Sequence, residues 1–115
     1  MTSNAVDELV ILQPRGELCE GPACDELERQ LYTLAEQGRR VIVDLSGTRV
    51  ITAHCLGVLA RGHRLAVANG GGLVLCGAAA VQRWLLGITH LTDAVPIYAT
   101  EREAVEHLTA GRAVA

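Results

Sequence analysis

Short apolar runs alternate with longer segments of helical period along nearly the whole chain, and this alternation constrains the fold more than any other feature. Val41-Ile42-Val43, set between Arg39-Arg40 and Asp44-Leu45-Ser46-Gly47, is a β-branched run of the kind that forms a strand buried on both faces. Leu73-Val74-Leu75-Cys76, followed by Gly77, reads the same way. Glu8 to Gln13 is an earlier run closed by Pro14 and Gly16, expected as a strand toward an edge. Ala94 to Ala99 is expected as a last short strand, and its Pro96 also argues for an edge position.

Between these runs the apolar residues recur at helical spacing. Pro22 suits a first helical position, Leu27, Leu31 and Leu34 follow at intervals of four and three, and Gly38 is a stop signal. After Val50-Ile51 a second helix is expected to start near Thr52 or Ala53, to carry Leu56, Leu59, His63 and Val67, and to end at Asn69 and the glycines 70–72. A third should run from about Ala79 to Leu86 with Val81, Trp84 and Leu85 facing inward, closed by Gly87. Glu101 to Leu108 is expected as a final helix with acids in its first turn, and the tail from Ala110 as frayed. Connections after the first strand are too long for hairpins. The expectation is therefore an α/β domain, with a mixed, mostly parallel sheet of four to five strands and about four helices. At 115 residues one domain is expected, with a core over about 8–108.

Composition removes several classes of function. Half the residues are hydrophobic, but the aromatics are only Trp84, Tyr32 and Tyr98, so the core must be aliphatic. A net charge of −3 with dispersed arginines argues against direct nucleic-acid binding. The polar, acidic start and the lack of a run of about 20 apolar residues point to a cytoplasmic protein with no membrane contact. Cys19, Cys24, Cys55 and Cys76 lack the paired spacing of a zinc site and read as free thiols. His63, His90 and His107 are scattered, so neither a metal nor a cofactor is expected. Gly70, Gly71 and Gly72 precede a strand rather than opening a helix, unlike phosphate-binding loops.

Three short motifs occur in a characteristic order: Gly16-Glu17-Leu18, Asp44-Leu45-Ser46-Gly47 and Leu56-Gly57-Val58-Leu59. Together with Gly70 to Cys76 and Val81-Gln82-Arg83-Trp84-Leu85 ahead of Thr89-His90-Leu91, they resemble the STAS domain of bacterial anti-sigma factor antagonists. The resemblance implies a sheet flanked by helices whose loop-to-helix junction docks onto an anti-sigma factor of the kinase-like ATPase type, regulating sigma-factor-dependent transcription. It implies no enzymatic activity. The partner-binding residues carried over are Leu18, Cys19, Thr52, Ala53, His54, Cys55, Leu56 and Gly57.

The sequence departs from the family at the switch. Switched members carry Asp and then Ser or Thr directly before the second helix, where this chain has Thr52 and Ala53; Ala53 has no hydroxyl to phosphorylate. Cys19 stands where the family often has an acid. Thr52 is open to two readings, a displaced phosphoacceptor or a helix N-cap. His54 and Cys55 are adjacent and would point about 100° apart on a helix, which argues against a catalytic pair. Two alternatives to the switch stand beside it. One is a scaffold domain that associates with itself or with other STAS proteins. The other is a redox-responsive variant in which Cys19 and Cys55 form a bridge, if their Cα atoms lie within about 7 Å.

Overall fold

The computed structural model describes residues 2–6, 9–90 and 95–114, with the side chains of 9–90 and 95–108. The elements are β1 (Thr2–Val6), β2 (Leu9–Gln13), β3 (Gly16–Leu18), α1 (Pro22–Glu36), β4 (Arg40–Asp44), β5 (Thr48–Ile51), α2 (Ala53–Ala68), β6 (Gly72–Cys76), α3 (Ala80–Ile88), β7 (Ile97–Tyr98) and α4 (Glu101–Val114). Five strands form one sheet in the order β1-β2-β4-β6-β7, parallel except for the β1–β2 pair. This is the mixed, mostly parallel sheet with four helices that the alternation predicts.

Burial on both faces explains the β-branched runs. Along β4, Val41 and Val43 join Leu73, Leu75, Leu27, Leu31 and Leu59 in the larger core beneath α1 and α2. Ile42 points the other way, to Leu9, Ile11, Val74, Cys76 and Ala104 beneath α4. Alternation along a strand delivers the two sets to opposite faces, and each fully buried aliphatic side chain contributes about 1.5–3 kcal/mol.

Four features differ from the sequence reading. Leu9–Gln13 is not at an edge, because β1 pairs along its whole length outside it; residues 2–6 are a strand by pairing rather than by composition. Gly16–Leu18 and Thr48–Ile51 form a separate two-stranded parallel sheet, which the short motifs did not signal. The last strand shrinks to Ile97–Tyr98, with Pro96 supplying only its carbonyl to the Leu75 N–H at 2.9 Å; Ala94 and Leu91 lie outside the described residues. Helix α4 continues to Val114 instead of ending near Leu108.

The inward face of α3 is a fifth correction. Val81 and Trp84 are 77% and 66% exposed and Leu85 is only partly buried, while Gln82 and Leu86 face the core. The reason is a polar anchor: Gln82 Nε2 donates to the Thr48 carbonyl at 2.6 Å, and its Oε1 accepts the Ala79 N–H at 3.0 Å. These bonds tie α3 to the start of β5 and turn Val81, Trp84 and Ile88 into an exposed apolar stripe.

At the carboxyl end of β4, buried Asp44 accepts the Ser46 N–H at 2.9 Å. A hydrogen bond to Asp44 and partial burial raise the Glu101 pKa above the usual carboxylate value. A raised pKa means that the folded state holds the Glu101 proton more tightly. The stabilisation is present below about pH 4.5 and is lost as pH rises through the folded value. Glu101→Gln keeps a donor toward Asp44 at every pH. It is expected to unfold at a higher temperature than the wild type at pH 7, with the difference shrinking toward pH 4.5 in thermal melts.

Candidate functional site

The two-stranded sheet sets the geometry of the candidate docking junction. Leu18 and Ile51 stand side by side in its register, so the loop that begins with Cys19 leaves the sheet next to the entry of α2. Thr52 closes this junction with two bonds to the Leu18 carbonyl, from its N–H at 3.1 Å and from its hydroxyl at 3.3 Å. Its backbone is extended, with φ −98° and ψ 165°, and its carbonyl accepts the Leu56 N–H, so it occupies the N-cap position. The side chain does not cap, however, because the hydroxyl is directed at β3.

Helix α2 therefore begins without a side-chain cap and without an acid in its first turn. The first N–H groups of a helix have no intrahelical acceptor and carry its positive dipole end. Ala53 and His54 are exposed there, and Cys19, Thr52 and Gly57 are partly exposed. One turn along, Arg61 stands close over Gly57, where an added Cβ would lie 3.3 Å from its Nη1, and Arg61 Nε donates to the Tyr32 hydroxyl at 3.0 Å.

Three of the residues expected to bind a partner point inward instead. Leu18 and Cys55 have no exposure and Leu56 has 4%, so their side chains support the junction from the core. For Cys55 and Leu56 the 3.6-residue period is the cause, since a helix that exposes Ala53 and His54 turns them toward α1 and the sheet, while Leu18 enters the same core from β3.

The thiol arrangement also differs from expectation. Cys55 does not face Cys19; its Sγ lies 2.8 Å from Cys24 Sγ on α1, with both residues fully buried. Burial, followed by the contact with Cys55, pushes the Cys24 thiol up to about 12. A thiol so raised is protonated at neutral pH, and the thiolate is the reactive form. His54 and Cys55 are split between surface and core, which leaves no Cys–His dyad at the junction.

The remaining histidines serve separate elements. His63 Nδ1 accepts the Leu73 N–H at 3.1 Å, and the His107 ring stands 5.0 Å from that of Tyr98. Among the described residues no cluster of three His, Cys, Asp or Glu could hold a metal ion, and no helix is long and apolar enough to cross a membrane. Sequence reasoning missed the β3–β5 pairing that brings Cys19 beside Thr52. Its one local signal is the apolar Leu18 and Val50-Ile51, in runs too short to separate from loop.

Comparison with known proteins agrees with this architecture. A candidate anti-sigma factor antagonist from Thermotoga maritima superposes with a TM-score of 0.83 at 26% identity, over 92% of each chain. The anti-sigma factor antagonist SpoIIAA in its unphosphorylated form gives 0.79 at 18% identity, over 95% of this chain and 96% of its own. The STAS domain of a SulP transporter from Vibrio cholerae gives 0.75 at 15% identity, over 97% and 89%. No curated protein matches in sequence. The sequence pattern of the STAS domain matches residues 1–104. A chain so matched over nearly its whole length, with the fold to correspond, belongs to the STAS domain family.

Proposed function

We propose that this STAS domain is an anti-sigma factor antagonist that acts in the cytoplasm, docking through the β5–α2 junction onto an anti-sigma factor of the kinase-like ATPase type. The observation that carries the reading is the open start of α2: an uncapped helix end with Ala53 and His54 exposed, beside the Cys19 loop. It is supported by the likeness to the Thermotoga maritima protein. Exposed backbone donors and small side chains suit close approach of a partner, and a negative charge placed there would meet the partner inside the interface.

Phosphorylation is not part of the proposal. Ala53 has no hydroxyl, and the hydroxyl of half-buried Thr52 is spent on the Leu18 carbonyl. SpoIIAA is known in a phosphorylated form, with which this chain shares 21% identity. This domain, on the present reading, stays competent to bind.

The test is calorimetric titration of the anti-sigma factor that co-purifies from the native cell. Ala53→Glu is expected to weaken binding at least tenfold, because a charge buried unpaired in an interface costs more than about 1.4 kcal/mol. Unchanged affinity would remove the junction from the interface. A scaffold role is the second reading, favoured by the exposed stripe Val81, Trp84 and Ile88 on α3. Light scattering separates the two: a concentration-dependent oligomer that Trp84→Arg dissolves supports the scaffold, and a monomer throughout opposes it.

A further inference from the structure

The edge of β6 holds a cavity that the docking junction does not use. β7 pairs only with Leu75 and Cys76, so among the described residues no strand lies beside the first residues of β6 on that side. His63 fills part of the gap by accepting the Leu73 N–H. What remains is a cavity of about 210 Å³ between α2, β6 and α4, walled by Val67, Val74, Pro96 and Leu108, with Arg40 and His63 as its polar side chains. His63 and Ala53 are about 15 Å apart along α2, so the two regions can be tested separately.

The three consecutive glycines lead to the same place. Gly70 has φ +90°, which favours glycine, and a Cβ on Gly71 would lie 2.2 Å from the Arg39 carbonyl oxygen. Gly72 has neither constraint: its φ is not positive, and a Cβ there would meet nothing within 4 Å. Strand alternation puts it on the same face as Val74, a wall of the cavity. Glycine at a strand position gives up packing and chain stiffness, and here what it leaves is space.

Charge selects the ligand class. The ion pairs found among the described residues are Glu26–Arg29, Glu17–Arg49 and Arg102–Glu106, so Arg40 has no carboxylate partner among them. Its Nη1 donates to the Leu108 carbonyl at 3.1 Å, one of the five N–H donors that a guanidinium carries. With its Nδ1 accepting from Leu73, His63 carries its proton on Nε2, a second donor. Burial lowers the His63 pKa, which keeps the ring neutral at pH 7.

We propose that this cavity binds a small organic monocarboxylate, its carboxylate on the Arg40 guanidinium and its apolar body against Val67, Val74, Pro96 and Leu108. Apolar walls disfavour a phosphate or other multiply charged anion, and a neutral hydrocarbon would leave the arginine unanswered. An apolar cavity of about 150 Å³ holds benzene, so this one suits an acid of about six to eight carbons.

The experiment is a titration of the intact protein with hexanoate, followed by amide chemical shifts. Saturable shifts centred on Arg40, His63, Gly72 to Val74 and Leu108 are expected, with hexanol binding at least tenfold more weakly. Arg40→Met should lower hexanoate affinity at least tenfold. Gly72→Val should fill the space and abolish binding while circular dichroism and the remaining amide shifts stay native. The proposal is overturned by the absence of saturable shifts at millimolar hexanoate, by equal affinity for hexanol, or by undiminished binding to folded Gly72→Val.

Discussion

Gly38→Ala is expected to destabilise the domain by about 4 kcal/mol and to lower its melting temperature by roughly 15 °C. Two effects add. Gly38 sits at φ +69°, where a residue with a Cβ is disfavoured by about 1–2 kcal/mol. The added Cβ would also lie 2.1 Å from the backbone oxygen of Asn69, an atom that cannot swing aside as a side-chain tip would. Overpacking of this kind costs about 1–3 kcal/mol or more. The contact arises because the ends of α1 and α2 feed adjacent parallel strands, with Arg40 opposite Gly72, so the two turns are stacked on each other. Gly70→Ala is the control, with φ +90° but nothing within 4 Å of its Cβ, and only the backbone penalty is expected. Urea and thermal melts read both variants. Equal losses for the two would show that the turns do not touch.

Gln82→Ala is expected to cost about 3 kcal/mol, while Trp84→Ala stays within about 0.5 kcal/mol of the wild type. Gln82 is 4% exposed, and truncating it strands the buried Thr48 carbonyl and also removes the bond from the N–H of exposed Ala79 that fixes the start of α3. Each unsatisfied buried polar group costs about 1–3 kcal/mol. Trp84, for all its size, is 66% exposed and has little packing to lose. The inverse ranking, with Trp84→Ala the more damaging, would rotate α3 back to the face that its apolar residues suggest.

That reversal shows where sequence reading stopped. Val81, Trp84, Leu85 and Ile88 form the most apolar stripe of α3, and periodicity alone assigns such a stripe to the core. The position is decided instead by a carbonyl 34 residues away, at the start of a strand whose own pairing was not legible. The same holds for Cys55. Its neighbour could be guessed from sequence as Cys19, but the packing of α2 on α1 selects Cys24. At the candidate site, the absent hydroxyl of Ala53 was plain from the residues, whereas the diversion of the Thr52 hydroxyl to Leu18 required the β3–β5 pair.

The alternation of apolar runs and helical periods by itself determined the order of β2, α1, β4, α2, β6, α3 and α4 and the parallel character of the sheet, while the ordered motifs at Gly16, Asp44 and Leu56 carried the resemblance to STAS domains. These are legible because strand and helix periods are local, set by side chains within a few residues of one another. Tertiary structure alone decided that Leu18, Cys55 and Leu56 support the junction from within while Ala53 and His54 face out. It also decided that Gln82 is a core residue, and that the short β7 leaves a cavity beside Gly72 and Arg40. Each of those outcomes depends on a hydrogen bond or a packing contact between segments far apart in the chain, and a local pattern carries no record of its distant partner.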